Sequence, residues 1–133
     1  DLLDFVLPEA YDDAYRMASR YWPGALTMVL PSNFEYINVL NPESSTLGFR
    51  VPDCEIARSF LEMTGPLATT SANLSGDLPS LDLNEVSKSL TGIPMLGPLP
   101  WPSISGQAST VILWKGLGSW QILRRGVVMP EEV

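Results

Sequence analysis

The sequence predicts an α/β domain built on a mixed β-sheet. Helical and strand-like patterns alternate along residues 9–91, which is typical of sheets whose parallel strands are connected by helices. Two β-rich runs, 109–114 and 119–128, then follow each other around Lys115–Gly118 and predict an antiparallel hairpin. The chain is 45% hydrophobic and 17% charged, so its 133 residues suffice for one compact domain with a substantial core.

Three segments have helical periodicity or helix-terminal residues. In the first, apolar side chains recur every three or four positions, Pro8 suits the first turn, and Pro23-Gly24 ends the helix. Asp53 is predicted to cap the second helix, which closes at Gly65. The predicted helices cover residues 9–22, the segment from Asp53 to Gly65, and a short segment from Pro79 to Gly92.

Short apolar runs between these helices predict three further strands, at 25–31, 47–52 and 66–70. Residues 32–46 are mixed and rich in turn formers, and residues 92–108 hold four prolines and predict a loop. In α/β sheets, sites gather at the carboxyl ends of strands. The segment TTSANLSG, residues 69–76, directly follows the third of these predicted strands.

Composition excludes several classes of protein. The formal net charge of −7 argues against bulk electrostatic binding of nucleic acid, which needs clustered cations. The chain has no histidine and a single cysteine, Cys54, so we predict no internal disulfide and no metal held by the protein. No apolar run approaches the roughly 20 residues that span a bilayer. Because a helical pattern begins soon after Asp1, we expect the native chain to start further upstream.

The hydroxyl and amide groups of TTSANLSG form the first candidate site. Such a loop can surround a nucleotide or an amino acid with short hydrogen bonds. The same residue types also build turns that satisfy their own backbone, and spacing alone favours this second interpretation.

Two arginines and one acidic pair have similar alternatives. Arg50 lies on a predicted strand, where it either clamps a carboxylate or is solvated. Arg124-Arg125 should point to opposite sides of their strand; one then clamps a phosphate, although solvation of both is the more frequent case. Asp12-Asp13 suggests a metal site only weakly, and the favoured interpretation is that these acids complement the dipole of the first helix.

Taken together and in order, the motifs are more specific than any one of them. The segments YWPGALTMVLP, LGFRVPD, PLATTSANLSG, SGQASTVILW and QILRRG resemble the YrdC/TsaC-like threonylcarbamoyl-AMP synthase family over nearly the whole chain. The resemblance implies a twisted, open, mixed sheet flanked by helices, with a concave ligand face. It also implies a nucleotidyltransferase that makes L-threonylcarbamoyladenylate from L-threonine, bicarbonate and ATP and releases pyrophosphate, for the t6A modification of tRNA.

The resemblance also assigns ligand-binding positions, and it assigns no catalytic residue. It implies ATP contacts at Thr46, Ser71, Asn73, Ser80 and Arg124. It implies L-threonine contacts at Arg50, Thr69 and Ser109. Mg²⁺ is expected to come with ATP. The product would pass to a tRNA threonylcarbamoyl transferase in the cytoplasm, without direct tRNA binding by this chain and without a membrane.

The chain also departs from the family pattern. The family's preceding segment, with its basic lysine and arginine motif, is not found in residues 1–133. We therefore predict that residues 1–133 are a single YrdC-like domain that lacks its N-terminal portion and holds part of the site. Two alternatives stay open: a YrdC-like carbamoyl-transfer module, as in hydrogenase maturation proteins, and a non-catalytic RNA-binding or regulatory module on the same fold.

Overall fold

The computed structural model describes residues 2–78, 80, 82–97, 100 and 106–133. A short 3-10 helix, Leu2–Phe5, precedes the regular elements. These are, in chain order, α1 (Pro8–Tyr21), β1 (Leu26–Pro31), α2 (Phe34–Leu40), β2 (Thr46–Phe49), α3 (Glu55–Thr64), α4 (Leu83–Ser89), β3 (Thr110–Gly116) and β4 (Ser119–Arg124). The chain divides into two compact units. The first comprises Asp1–Leu67 with Ala108–Val133, and the second comprises Ala68–Gln107.

The first unit contains a four-stranded mixed sheet in the order β2-β1-β3-β4. β1 and β3 are parallel, with Leu26 opposite Thr110. β2 lies antiparallel to β1, and β4 lies antiparallel to β3. The prediction of a mixed α/β sheet that ends in an antiparallel hairpin is therefore confirmed.

Helix α1 covers one face of this sheet. Leu26, Met28 and Leu30 alternate along β1 and are fully buried, as expected for side chains on the inner face of a strand. The buried cluster also includes Leu3, Val6, Ala10, Ala14, Met17, Phe49 and Ile112. The intervening residues of β1, Thr27 and Val29, point to the opposite face and are only half-buried.

Asp13 connects α1 to the β3–β4 hairpin. It is 9% exposed, and its Oδ2 accepts hydrogen bonds from Trp114 Nε1 at 2.8 Å and from the Gly118 backbone N–H at 2.6 Å. Its Oδ1 pairs with Arg16. The Trp114 hydrogen bond makes the largest contribution to a pKa for Asp13 below its ordinary value. Asp13 is thus a buried anchor of the hairpin, a role that the helix-dipole interpretation did not foresee.

The structure differs from the sequence predictions in three elements. Helix α2 lies within residues 32–46, a segment whose composition predicts turns. Residues 66–70, predicted as a strand, form neither helix nor strand; the sheet of the first unit has no strand from this segment, and Pro66 has no N–H to donate. The N-cap of α3 is Cys54, without a side-chain cap. Asp53 instead accepts a hydrogen bond from Arg58 at 3.1 Å.

None of the helices in the described parts of the chain has the length and apolar character needed to cross a membrane.

Candidate functional site

The predicted site residues lie in both compact units. Thr46, Arg50, Ser109 and Arg124 belong to the first unit, and Thr69, Ser71, Asn73 and Ser80 belong to the second. Within the first unit, the structure brings Arg50, Ser109 and Arg124 to one edge of the sheet.

This edge is defined by strand direction. β1 and β3 are parallel and both begin there, whereas β2 and β4 run in the opposite direction and end there. Arg50 therefore follows the end of β2, Arg124 ends β4, and Ser109 precedes β3. The two arginines thus come from the carboxyl ends of the outer strands β2 and β4, and Ser109 comes from the amino end of the central strand β3.

Arg124 and Ser109 are joined by several hydrogen bonds. Arg124 donates to the Ser109 carbonyl oxygen from Nε at 3.1 Å and from Nη2 at 2.9 Å. Arg124 Nη2 also donates to Ser109 Oγ at 3.1 Å. The Ser109 hydroxyl lies 2.9 Å from the Thr27 hydroxyl on the neighbouring strand. The exposed guanidinium of Arg124 is thus fixed on a serine that is only 7% exposed.

Arg50 is held by a hydrogen bond to the segment between α1 and β1. Its Nε donates to the Gly24 carbonyl oxygen at 2.9 Å, and the Gly24 N–H donates to Val51 O at 2.9 Å. A Cβ at Gly24 would overlap the Tyr21 carbonyl oxygen, so a glycine suits this turn. The WPG and RVP segments are therefore joined through backbone atoms, which places Arg50 at this edge.

The two arginines form a cationic pair. Desolvation lowers the pKa of Arg50, and the positive charge of Arg124 lowers it further. Over the described ranges, neither guanidinium has a carboxylate within ion-pair distance, although acids outnumber bases in the chain by 15 to 8. Two neighbouring cations without protein counter-ions are suited to binding an anion such as a carboxylate or a phosphate.

Below Ser109, the chain after β4 packs closely on the start of β3. The N–H of Gly126 donates to Thr110 Oγ1 at 3.0 Å, and the Thr110 hydroxyl donates to the Val128 carbonyl oxygen. A Cβ at Gly126 would overlap the backbone of residues 108–110. Thr110 itself is fully buried. This close packing explains why a glycine, Gly126, follows the two arginines. Arg125 is exposed and lies within 4.0 Å of the Met129 sulfur.

Thr46 lies at the other end of β2. It pairs with Pro31, whereas Phe49, next to Arg50, pairs with Met28. Its hydroxyl lies 3.0 Å from Ser44 Oγ. A strand rises about 3.3 Å per residue, so the backbones of Thr46 and Arg50 are separated by about 13 Å. The structure does not bring Thr46 next to the cationic pair.

In the second unit, the TTSANLSG segment forms a bent loop. Thr69 and Ser71 are exposed, and Asn73 and Ser80 are half-buried. Asn73 Nδ2 donates to Leu74 O at 2.9 Å and to Asp77 O at 3.1 Å, as in a turn that binds its own backbone. Asn73 Oδ1, however, is buried and has no partner among the described residues. Asn73 and Ser80 line an open groove with Asp77, Leu78, Glu85, Lys88 and Ser89.

Thr27 was not among the predicted site residues. It lies within the WPG-x-LT motif, where its position on the face opposite the buried Leu26 and Met28 was available from strand alternation. Its proximity to Ser109 was not available, because the two residues are 82 positions apart in the sequence.

Comparisons with known proteins agree with this fold. A family model described as "Telomere recombination", which covers Sua5, YciO and YrdC proteins, matches residues 1–126. The chain is 33% identical over 91 residues to threonylcarbamoyl-AMP synthase of Pyrococcus abyssi, covering 68% of this chain and 27% of that protein. It is 41% identical over 64 residues to the human threonylcarbamoyl-AMP synthase, covering 47% of this chain and 23% of that protein.

Two solved structures are similar to the chain. P. abyssi Sua5, complexed with L-threonine, superposes with a TM-score of 0.80 at 30% identity, covering 93% of this chain and 36% of Sua5. E. coli YciO superposes with a TM-score of 0.67 at 27% identity, covering 96% of this chain and 61% of YciO. The chain spans 27% of the P. abyssi synthase, 23% of the human synthase and 56% of a putative threonylcarbamoyl-AMP synthase of Mycobacterium tuberculosis. With residues 1–126 matched by the family model and the YrdC-like fold shared with Sua5 and YciO, the chain belongs to the Sua5/YciO/YrdC family.

Proposed function

We propose that this chain is part of a threonylcarbamoyl-AMP synthase, which makes L-threonylcarbamoyladenylate from L-threonine, bicarbonate and ATP. The observation that carries the proposal is the Arg50–Arg124 pair, two neighbouring cations without carboxylate partners in the described residues of an acidic chain. Both substrates with which these arginines would interact carry anionic groups, since threonine brings a carboxylate and ATP brings phosphates.

The hydrogen bonds of Arg50 suit a carboxylate. Its Nε is used on the Gly24 carbonyl oxygen, and no hydrogen bond to another described residue occupies Nη1 or Nη2. These two nitrogens form a fork that can donate two parallel hydrogen bonds to one carboxylate. Arg50 is therefore assigned to the threonine carboxylate. Ser109, which Arg124 holds in place, is assigned to the same substrate.

The remaining assignments follow the family resemblance. Arg124 keeps Nη1 free of described partners and is assigned to the ATP phosphates, with Thr46, Ser71, Asn73 and Ser80 as further ATP contacts. Thr69 is assigned to L-threonine. The described residues contain no group of three or more acidic or cysteine side chains placed to hold a metal ion. Mg²⁺ is therefore proposed to arrive on the phosphates of ATP, a usual arrangement for this ion.

The chemistry requires alignment and charge neutralisation more than a protein base. The threonine amine attacks the bicarbonate carbon and water leaves, which gives a carbamate. A carbamate oxygen then attacks the α-phosphorus, and pyrophosphate departs with its bonding electron pair. Holding the reactants in line and neutralising the phosphate charge can supply most of the rate enhancement. A chain without histidine is compatible with this reaction.

Pyrophosphate release from the complete gene product tests the proposal, with ATP, bicarbonate and L-threonine supplied. We expect release to depend on threonine. Arg50→Ala should raise the KM for threonine at least ten-fold and change the KM for ATP less than three-fold, because a charge-assisted hydrogen-bond pair to the carboxylate is lost. Arg125→Ala is the matched control, because the one side-chain hydrogen bond from this neighbouring arginine to a described residue goes to the Met129 sulfur.

Other outcomes would favour the alternatives. Release that needs carbamoyl phosphate and not threonine would indicate a carbamoyl-transfer module. An absence of release together with tight RNA binding would indicate a non-catalytic module. Under the proposed function, the product is passed to a tRNA threonylcarbamoyl transferase in the cytoplasm for t6A formation. With a net charge of −7, we propose no direct tRNA contact by this chain.

The domain prediction is part of the same proposal. The chain is proposed to be one YrdC-like domain. Because it spans only part of the length of its relatives, the complete gene product is the appropriate protein for assays of activity.

A further inference from the structure

Thr27 occupies a position on the sheet that the family resemblance does not assign. It is the second residue of β1 and lies on the face opposite α1, between the fully buried Leu26 and Met28. Its side chain is half-buried, and its hydroxyl lies 2.9 Å from Ser109 Oγ across the parallel β1–β3 pair.

Strand β2, the other neighbour of β1, has a glycine next to Thr27 and places no side chain over it. Gly48 of β2 is exposed, and a Cβ placed there would lie 3.6 Å from Thr27 Cγ2. The Thr27 methyl group therefore faces β2, and its hydroxyl faces Ser109. Position 48 therefore contributes no side chain that would separate the two hydroxyls from a small ligand bound by Arg50.

The proton count of the hydroxyl pair is decisive. Arg124 Nη2 donates to Ser109 Oγ and so uses one of its acceptor positions. One hydroxyl proton is used in the hydrogen bond between Thr27 and Ser109, whichever residue donates it. Within the described structure, neither side-chain hydroxyl has another partner. The pair therefore keeps one O–H proton to donate to a third group.

A carboxylate is the ligand that fits this arrangement, because it accepts hydrogen bonds and has none to donate. All the groups around it would then be donors: the fork of Arg50 and the remaining O–H of the hydroxyl pair. We infer that Thr27 is a positioning residue, which orients the Ser109 hydroxyl so that the pair donates one hydrogen bond to the carboxylate of the amino-acid substrate. This inference rests on the proposed function, and it adds a residue to the threonine site.

The test compares three variants of the complete gene product by calorimetric titration with L-threonine. Thr27→Val keeps the shape of the side chain and removes the hydroxyl. We expect it to weaken threonine binding about ten-fold or more, because the Ser109 hydroxyl is no longer oriented to donate its hydrogen bond to the threonine carboxylate. Thr27→Ser restores a hydroxyl at the same place and should bind threonine within about three-fold of wild type. Val29→Ala, on the same strand and face, is the control for general loosening of the sheet.

Each result has a distinct meaning. Weak binding by Thr27→Val with recovery in Thr27→Ser, at unchanged ATP affinity, supports the inference. Wild-type threonine affinity in Thr27→Val overturns it and leaves the proposed function standing. Equal losses in Thr27→Val, Thr27→Ser and Val29→Ala, with lowered melting temperatures, also overturn it, since they show a purely structural role. An absence of threonine binding by the wild type overturns the proposed function and this inference together.

Discussion

Arg124 donates three hydrogen bonds to Ser109, two to its carbonyl oxygen and one to its hydroxyl. Ser109 precedes β3 and Arg124 ends β4, so the guanidinium bridges the two strands at the edge where Arg50 also lies. A lysine has one nitrogen in place of this planar group and cannot make the Nε and Nη2 bonds together.

Arg124→Lys should therefore impair the proposed reaction although it preserves the charge. We expect the KM for ATP to rise about ten-fold in the pyrophosphate assay, since the cation is no longer fixed in position. Arg125→Lys, one residue further on, should leave the KM within about two-fold of wild type. Equal kinetics for the two lysine variants would remove Arg124 from the proposed ATP contacts.

Gly126→Ala should destabilise the first unit. The added methyl group would overlap the backbone of residues 108–110, which cannot move without disturbing the start of β3. Such overpacking costs about 1–3 kcal/mol, and backbone neighbours place this site at the upper end of that range. Urea unfolding would measure the loss. Gly97→Ala is the control, because a Cβ at Gly97 would meet no atom within 4 Å; a similar stability for both variants would contradict the close approach.

Thr110→Val should also destabilise the contact between the start of β3 and the chain that follows β4, through the loss of hydrogen bonds. The buried Thr110 hydroxyl accepts from the Gly126 N–H and donates to the Val128 carbonyl, and valine leaves both backbone groups without that partner. A buried group left unsatisfied costs about 1–3 kcal/mol. Thr110→Ser should recover most of the loss in thermal unfolding. If valine were as stable as threonine at this position, the bridge would contribute nothing to the fold.

Much of the fold could be predicted because its determinants are local. The periodicity of α1 and the turn residues of the β3–β4 hairpin are visible within short windows of sequence. Helix α2 was missed because Asn33, Asn38 and Asn41 make its segment resemble a turn. Residues 66–70 have a strand-like composition, but a strand also needs a neighbouring strand, and sequence patterns do not reveal whether one exists.

In the candidate site, too, residue types could be predicted from local sequence, but contacts between distant segments could not. Arg50 and Arg124 could be selected by residue type. For Arg50 a carboxylate clamp and a solvated side chain were equally compatible with the pattern, and for Arg124 a solvated side chain was favoured. Their adjacency depends on the strand order β2-β1-β3-β4, which brings the end of β2 and the end of β4 to one edge. The proximity of Thr27 to Ser109 could not be predicted for the same reason, since only the parallel pairing of β1 with β3 brings the two residues together.

Asp13 should make the stability of the hairpin depend on pH. Its pKa in the folded state lies below the ordinary 3.8, chiefly because of the Trp114 hydrogen bond. The ionised carboxylate therefore contributes its full stabilisation above the unfolded-state pKa of about 3.8, and this contribution is lost as the pH falls through the lower folded-state pKa.

Asp13→Asn should lower the free energy of unfolding at pH 7 by about 1–3 kcal/mol, because an amide cannot replace both acceptor oxygens. In urea titrations, the difference in the free energy of unfolding between wild type and Asp13→Asn should become smaller below about pH 4. Asp12→Asn, at an exposed position, is the control and should be as stable as wild type at pH 7. A gap that stays constant down to pH 2 would show that the charge of Asp13 is not what holds the hairpin on α1.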